Sequence, residues 1–453
     1  MPKVLSIARN AFVESTRQPV VLFMVLLCGL LQIFTTWNSG YSLGYQSTES
    51  AEVQSDDKVL LDVGMSTVFV MGVLLAGFIA TSVISREIES KTMLTVVSKP
   101  VSRVSVIIGK YLGVVGALLV SCGLMVLFLM LAIRHGVMTT AADELKYPVL
   151  VFSGIALVTS LALAAWLNYF YGWNFPQTGL LLLVPATFLA YCGVLLFNDK
   201  WQLQNIFVAF KPQVLTACCA LVLAILVLAA VATAASTRLG QVMTIMVCLG
   251  VFVASLLSNF MLGRFVFRNE PVGVIRRVEA MDSSKSFTAD HSPLVITLEH
   301  PVPRPITPGT AIYYGPSPNG FPLHTPTDYG DYKGSLDDPN EMFADASRAP
   351  GVIATTALGD KLTLRTVGAH PISIERDPKK GDFVFISPTR TSYPRLAAWG
   401  VLPNLQYFWL LDAVSQNRPV PSSYLVTASA YSLVQVTAFL SLAVMLFQRR
   451  DVG

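Results

Sequence analysis

Eight separate stretches of this chain are each about as long as a bilayer crossing and almost free of charge, and this recurrence restricts the fold more than any other feature. A hydrocarbon layer of about 30 Å takes roughly 20 residues of helix rising about 1.5 Å each. The stretches run over residues 20–36, 63–84, 106–133, 149–167, 178–197, 213–235, 240–262 and 424–447. Within them the one ionisable side chain of the Asp, Glu, Lys, Arg and His set is Lys110, near an end of the third, where it is expected to snorkel to the interface. Pro185 interrupts the fifth, and its aromatic approach, Tyr169 to Phe175, reads also as an interfacial or re-entrant segment. The expected fold class is a polytopic α-helical membrane protein of about eight transmembrane helices, within a range of six to eight. Composition agrees, because 53% of the residues are hydrophobic and 13% charged, where soluble domains carry about 25% charged residues.

The formal net charge of +4 is small and its Lys and Arg are scattered, which excludes a nucleic-acid footprint. The sign of the connections between spans is informative instead. With the N-terminus inside, the cytoplasmic set holds Lys3, Arg9, Arg17, Arg86, Lys91, Lys99, Arg103, Lys110, Arg238, Arg449 and Arg450 against Glu14, Glu87, Glu89 and Asp451. The loop 37–62 carries Glu49, Glu52, Asp56, Asp57 and Asp62 against Lys58. By the positive-inside rule both termini are expected in the cytoplasm of a multi-pass inner or plasma membrane protein. The first apolar run lacks a small-x-small cleavage site and is long enough to stay as an anchor.

The polar stretch from about Gly263 to Ser423 then falls outside. Leu294–Leu298, Lys361–Arg365 and Asp382–Ile386 alternate as half-buried strands do, and residues 301–350 are rich in Pro, Gly, Tyr and Asp, as turns are. The expected organisation is residues 1–262 with spans one to seven and an N-terminal interfacial helix, an inserted β-rich extracytoplasmic domain with its linker over 263–423, and the last span with a cytoplasmic tail over 424–453. Helical structure is expected to close the inserted domain before the last span.

Little in the chain points to catalysis, and it reads as non-catalytic. Gly40-Tyr-Ser-Leu-Gly44 has the G-x-S-x-G form of a hydrolase nucleophile elbow, but it lies in a loop after the first span rather than between a strand and a helix of an α/β sheet. His135, His291, His300, His324 and His370 show no metal-binding spacing; His291 and His300 could meet across a hairpin, with a solvated surface role the plainer reading. All six cysteines fall in apolar runs. No G-x-x-x-x-G-K-[ST] occurs, so no phosphate cradle of that kind is offered to ATP. The spans also lack the midplane charges that ion-coupled carriers usually need.

The connection between spans two and three, residues 85–103, combines several features. Glu87, Glu89 and Lys91 make a charged helical start, Ile88, Met93, Leu94 and Val97 an apolar stripe, and Pro100 a stop before the next span. A short amphipathic helix of this kind lies on lipid or docks into a partner's groove, and an ordinary basic turn at the headgroups fits the composition equally.

This connection resembles that of permeases of the type-2 ATP-binding-cassette exporter family. The family pattern, E-x-E-x-x-T, a short apolar stretch, P-apolar-[ST]-R, then G-K, is matched by Glu87, Glu89, Thr92, Pro100, Ser102, Arg103, Gly109 and Lys110. The amphipathic N-terminus, with Ala11–Glu14 and Arg17–Pro19, is similar to the family's membrane-surface helix, and Ala235–Arg238, Leu402–Leu405 and Phe447–Asp451 resemble later landmarks. The resemblance implies the membrane-spanning permease of an ABC transporter, an exporter, with two permease copies and two cytoplasmic ATPase subunits. ATP-Mg would be bound by those partners and no cofactor by this chain. It also implies an ATPase-coupling interface at Glu87, Glu89, Thr92, Pro100, Ser102 and Arg103, the acidic pair supplying contacts and Pro100 with Arg103 setting the angle at which span three starts. Substrate-binding residues are unknown. Two other readings stand beside it: an ion-coupled secondary transporter or channel, and a membrane-anchored scaffold or sensor whose extracytoplasmic domain meets an envelope partner. Gly109, Gly113 and Gly116 fit close helix packing within a homodimer, packing within one chain, or the relief of helix tilt.

Overall fold

A computed structural model of the chain describes residues 2–38, 49–89, 102–137, 145–281, 287, 292–302, 305–327, 329–336, 342, 351–368, 374–415 and 420–449. The chain divides into two compact units, Met1–Leu256 with Pro403–Gly453, and Leu257–Leu402.

The first unit is helical. Its helices are α1 (Pro2–Thr16), α2 (Pro19–Asn38), α3 (Glu49–Glu89), α4 (Arg103–His135), α5 (Tyr147–Tyr171), α6 (Phe175–Leu196), α7 (Pro212–Ser236) and α8 (Gln241–Leu256), with α10 (Ser422–Gln448) following α9 (Tyr393–Val401) of the second unit. Local chemistry sets several boundaries. Pro19 opens α2, where its missing N–H is not needed. Gly172, at φ +65°, ends α5 in the left-handed region that a side chain would resist, and three residues later α6 begins under an Asn174 cap, whose Oδ1 accepts from Gln177 N at 3.1 Å.

Seven helices among the described residues are long and apolar enough to cross a membrane: Pro19–Trp37, Lys58–Ser85, α4, α5, α6, α7 and α10. An eighth results if α8 and Asn259–Val266, separated by a break, are one span. The irregularity expected at the fifth stretch therefore lies elsewhere. Helix α6 runs unbroken through Pro185, because the proline removes one backbone bond that neighbouring structure in a helical bundle absorbs. The seventh stretch is the one that breaks, at a widened turn over Asn259–Gly263. The loop read at 37–62 is also shorter than expected: residues 49–62 already belong to α3, in a run without Gly or Pro to stop it. The motif Gly40–Gly44 lies outside the described residues, as do His291 and His370.

Helices α3, α4 and α7 form the centre of this unit, where Leu75, Ile79, Val114, Leu118, Leu129, Ala224 and Leu228 are fully buried. Phe188, Leu189, Val242, Leu433 and Val434 point outward, an apolar exterior suited to lipid. Hydroxyls in the spans turn back to their own helix: Ser121 to Ala117 O at 2.9 Å, Thr233 to Ala229 O at 2.8 Å, Ser432 to Ala428 O at 2.9 Å. These three donors are thereby satisfied within the apolar layer.

The second unit is β-rich. Strands β1 (Phe267–Arg268) and β8 (Arg390–Thr391) pair as a short ladder. Six others, β2 (Gly273–Ala280), β3 (Leu294–Leu298), β4 (Tyr313–Gly315), β5 (Gly351–Leu358), β6 (Lys361–Val367) and β7 (Phe383–Phe385), form one antiparallel sheet in the order β4-β7-β2-β3-β6-β5. The two ends of that order meet. Ile312 N donates to Val352 O at 2.8 Å, Ala354 N to Thr310 O at 2.9 Å and Gly309 N to Ala354 O at 2.7 Å. These bonds join the chain leading into β4 to β5 and close the sheet into a small barrel, which removes open edges. Its interior holds Ile275, Ile296, Leu298, Ile312, Tyr314, Val352, Leu362, Leu364 and Val384. The three strands read from alternation are present, β3 burying Leu294, Ile296 and Leu298 on one face. Helix α9 and the short segments Leu405–Phe408 and Leu411–Ser415 supply the expected helical close.

Candidate coupling face

The residues singled out between spans two and three are bracketed by the end of α3 and the start of α4. Glu87 and Glu89 lie in the last turn of α3, so they end a 41-residue helix rather than start a new one. Their side chains, and Thr92 and Pro100 altogether, lie outside the described residues. Ser102 and Arg103 are described, and both act on helix ends. Ser102 caps α4, its Oγ accepting from Ser105 N at 3.1 Å and lying 2.7 Å from Ser105 Oγ. Arg103 reaches the other end of the chain: its guanidinium donates to Gln448 O at 2.9 Å and Phe447 O at 3.5 Å, and stands 5.9 Å from the centre of the Phe447 ring. A cation is thus placed on the last carbonyls of α10, where the helix dipole favours it.

Lys110, seven residues further along α4, reaches α3. Instead of snorkelling outward it is buried, with 3% of its surface exposed, and Nζ donates to Val83 O at 2.5 Å. Burial of an ammonium group is tolerable only with an acceptor in place, and the carbonyl of Val83, six residues before the end of α3, is such an acceptor. Ser85 Oγ, two residues on, donates to Leu239 O at 3.0 Å in the turn between α7 and α8. Gln18 Nε2, in the α1–α2 turn, donates to Ser82 Oγ, which donates in turn to Ile79 O at 2.8 Å.

Helix α1 is held to α4 by the three glycines. A β-carbon on Gly109 would meet Ile7 Cβ at 2.9 Å, one on Gly113 would meet Ala8 O and Ala11 Cβ at 2.5 Å, and one on Gly116 would meet Phe12 Cδ2 at 3.1 Å. The stripe serves packing within one chain, the intramolecular one of its sequence readings. Ala8, Ala11, Ser15 and Thr16 are buried as a result. The ends of α1, α3, α4, α7 and α10 are therefore tied into one collar around the connection 90–101. Ser102 and Arg103 are legible as candidates in the sequence, whereas Ser82 and the bonds made by Gln18, Ser85 and Lys110 are not. A lone lysine in an uncharged span was the available signal for the last.

Among the described residues no group of three or more His, Cys, Asp or Glu is placed to hold a metal. His324 in the second unit instead contacts Glu375 at 2.9 Å.

Residues 5–171, from α1 to the end of α5, match a family model described as ABC-2 family transporter protein. No curated protein and no solved structure matches the chain. The matched stretch contains α1, α3 and α4, which make most of the collar.

Proposed function

We propose that this chain is the membrane-spanning permease subunit of an ATP-driven exporter, coupled to a separate cytoplasmic ATPase subunit that binds ATP-Mg. One observation carries this beyond the family match: the connection 90–101 is anchored at both ends in a collar of interlocked helix ends. A force applied there acts on α3 through Lys110 and Ser85, on α4 and α1 through the glycine contacts, and on α10 through Arg103. Packed interiors deform little and transmit strain, so docking of an ATPase at this connection would move several spans together.

In this reading Glu87, Glu89, Thr92 and Pro100 form the docking contact and Ser102 with Arg103 fix the start of span three. Both termini and the collar face the cytoplasm of an inner or plasma membrane, and the barrel, inserted between α8 and α10, lies outside, where it can meet an envelope partner. Two copies of the permease act with two ATPases. The test is to purify the full chain gently from its native membrane, identify the accompanying ATPase, and repeat with Glu87→Ala plus Glu89→Ala. The double variant is expected to lose the ATPase while keeping its fold; retention of both the partner and ATP-dependent transport would overturn the coupling role.

A further inference from the structure

A second feature lies at the same end of the helical unit as the collar, where α5 turns into α6 beside the α1–α2 turn. A cleft of about 870 Å³ opens there. Its polar part is formed by Arg17, Asn168, Asn174 and Gln177, and its apolar part by Leu167, Leu181 and Leu182.

The hydrogen bonds inside the cleft leave Arg17, Asn174 and Gln177 with donors to offer, while Asn168 Nδ2 donates to Trp173 O at 2.5 Å and leaves its Oδ1 as an acceptor. Arg17 Nε donates to Gln177 Oε1 at 3.1 Å, and Gln177 N donates to Asn174 Oδ1 at 3.1 Å. The amide oxygens of Asn174 and Gln177 are therefore occupied, while their amino groups and the two terminal nitrogens of Arg17 have no partner among the described residues. No Asp or Glu lines the cleft. An excess of donors beside a permanent cation, with no carboxylate in the lining, favours an anion that accepts several hydrogen bonds, and a phosphodiester is such a group.

The surroundings specify where that anion comes from. Trp166, Tyr169, Phe170, Tyr171 and Trp173 are all strongly exposed around the turn, and exposed aromatic side chains at the ends of apolar helices occupy the headgroup layer. The leucines continue the cleft from the polar end along two membrane-crossing helices. A polar head and an apolar tail are thus both accommodated.

The geometry points to a binding site for one anionic glycerophospholipid, its phosphodiester held by Arg17, Asn174 and Gln177 and its acyl chains laid along Leu167, Leu181 and Leu182. The site depends on the membrane-spanning fold and not on the coupling role, so a failed ATPase test leaves it standing.

Native mass spectrometry of the full chain, reconstituted in zwitterionic lipid with a minor fraction of anionic phospholipid, tests the assignment. One anionic lipid is expected to stay bound, and Arg17→Gln is expected to weaken its retention about tenfold, the loss of one charge-assisted contact. Arg17→Lys should retain part of it, since the charge remains and the fork does not. Arg134→Gln, at the opposite end of α4, should leave it unchanged. Thermal unfolding of each variant in zwitterionic lipid confirms that the fold is intact, Arg17 being exposed. Equal retention in Arg17→Gln, equal retention of zwitterionic lipid, or occupancy by added inorganic phosphate in place of lipid would each overturn the proposal.

Discussion

Gly113 of α4 lies so close to Ala11 of α1 that a β-carbon on it would stand 2.5 Å from Ala11 Cβ, and no nearer approach of two helices is needed to explain how the N-terminal helix is held. Gly113→Ala is expected to destabilise the protein by about 1–3 kcal/mol, since the colliding atoms include the Ala8 carbonyl and the α1 backbone must shift. Gly123→Ala on the same helix meets nothing within 4 Å and should be neutral or stabilise by up to about 1 kcal/mol, the helix-propensity gain. Thermal unfolding in detergent compares the two, and equal effects would contradict the packing described.

Lys110→Met is expected to cost about 1–3 kcal/mol, because the substitution removes a charged donor from the carbonyl of Val83 inside a protein interior shaped for it. Arg103→Gln, at a less buried position, should cost about 0.3–1 kcal/mol, the value of a cation at a helix C-terminus. Under the coupling reading both should lower ATP-driven transport more than they lower ATPase binding. Transport assayed beside copurification separates the two quantities.

In the barrel unit, Arg376 grips Asp382 with both terminal nitrogens, at 2.8 and 2.7 Å, and Lys379 N donates to the same carboxylate at 2.8 Å. Asp382 is buried, and the bond to it raises the Arg376 pKa further above its ordinary value. Arg376→Ala would leave a buried carboxylate with one donor, a loss of about 1–3 kcal/mol. Asp382→Asn keeps the shape and should cost less. Hydrogen exchange across β7 reports the difference.

Tyr314 and Tyr329 give the barrel a limit at alkaline pH. Burial raises both phenols above their ordinary value, and their hydroxyls donate to Arg376 O, at 2.6 Å, and to Ile312 O. In the unfolded chain these phenols ionise near pH 10, while in the folded chain they hold their protons to higher pH. The folded state then binds more protons, so the contribution of these two phenols is constant below about pH 10 and falls as pH rises above it. Tyr314→Phe should make that fall shallower. Unfolding measured at a series of alkaline pH values, with tyrosinate absorbance as the monitor, decides this.

The sequence by itself determined the spans, because an uncharged run of bilayer length admits few other structures, and it determined strands such as Leu294–Leu298, whose alternation permits one buried face. Helix boundaries at Pro19 and Ser102 were equally local. Tertiary structure decided the rest. Whether Lys110 snorkels or turns inward depends on the carbonyl of Val83, 27 residues away. Which helix fills the glycine stripe of α4, and that Arg103 meets Gln448, depend on pairings no single segment encodes. The closure of the barrel at Ile312 and Val352 is of the same kind. Periodicity states which face of an element is apolar and a lone charge states that it needs a partner, but the partner is chosen only when distant segments pack, because the burial energy belongs to the pair and not to either segment.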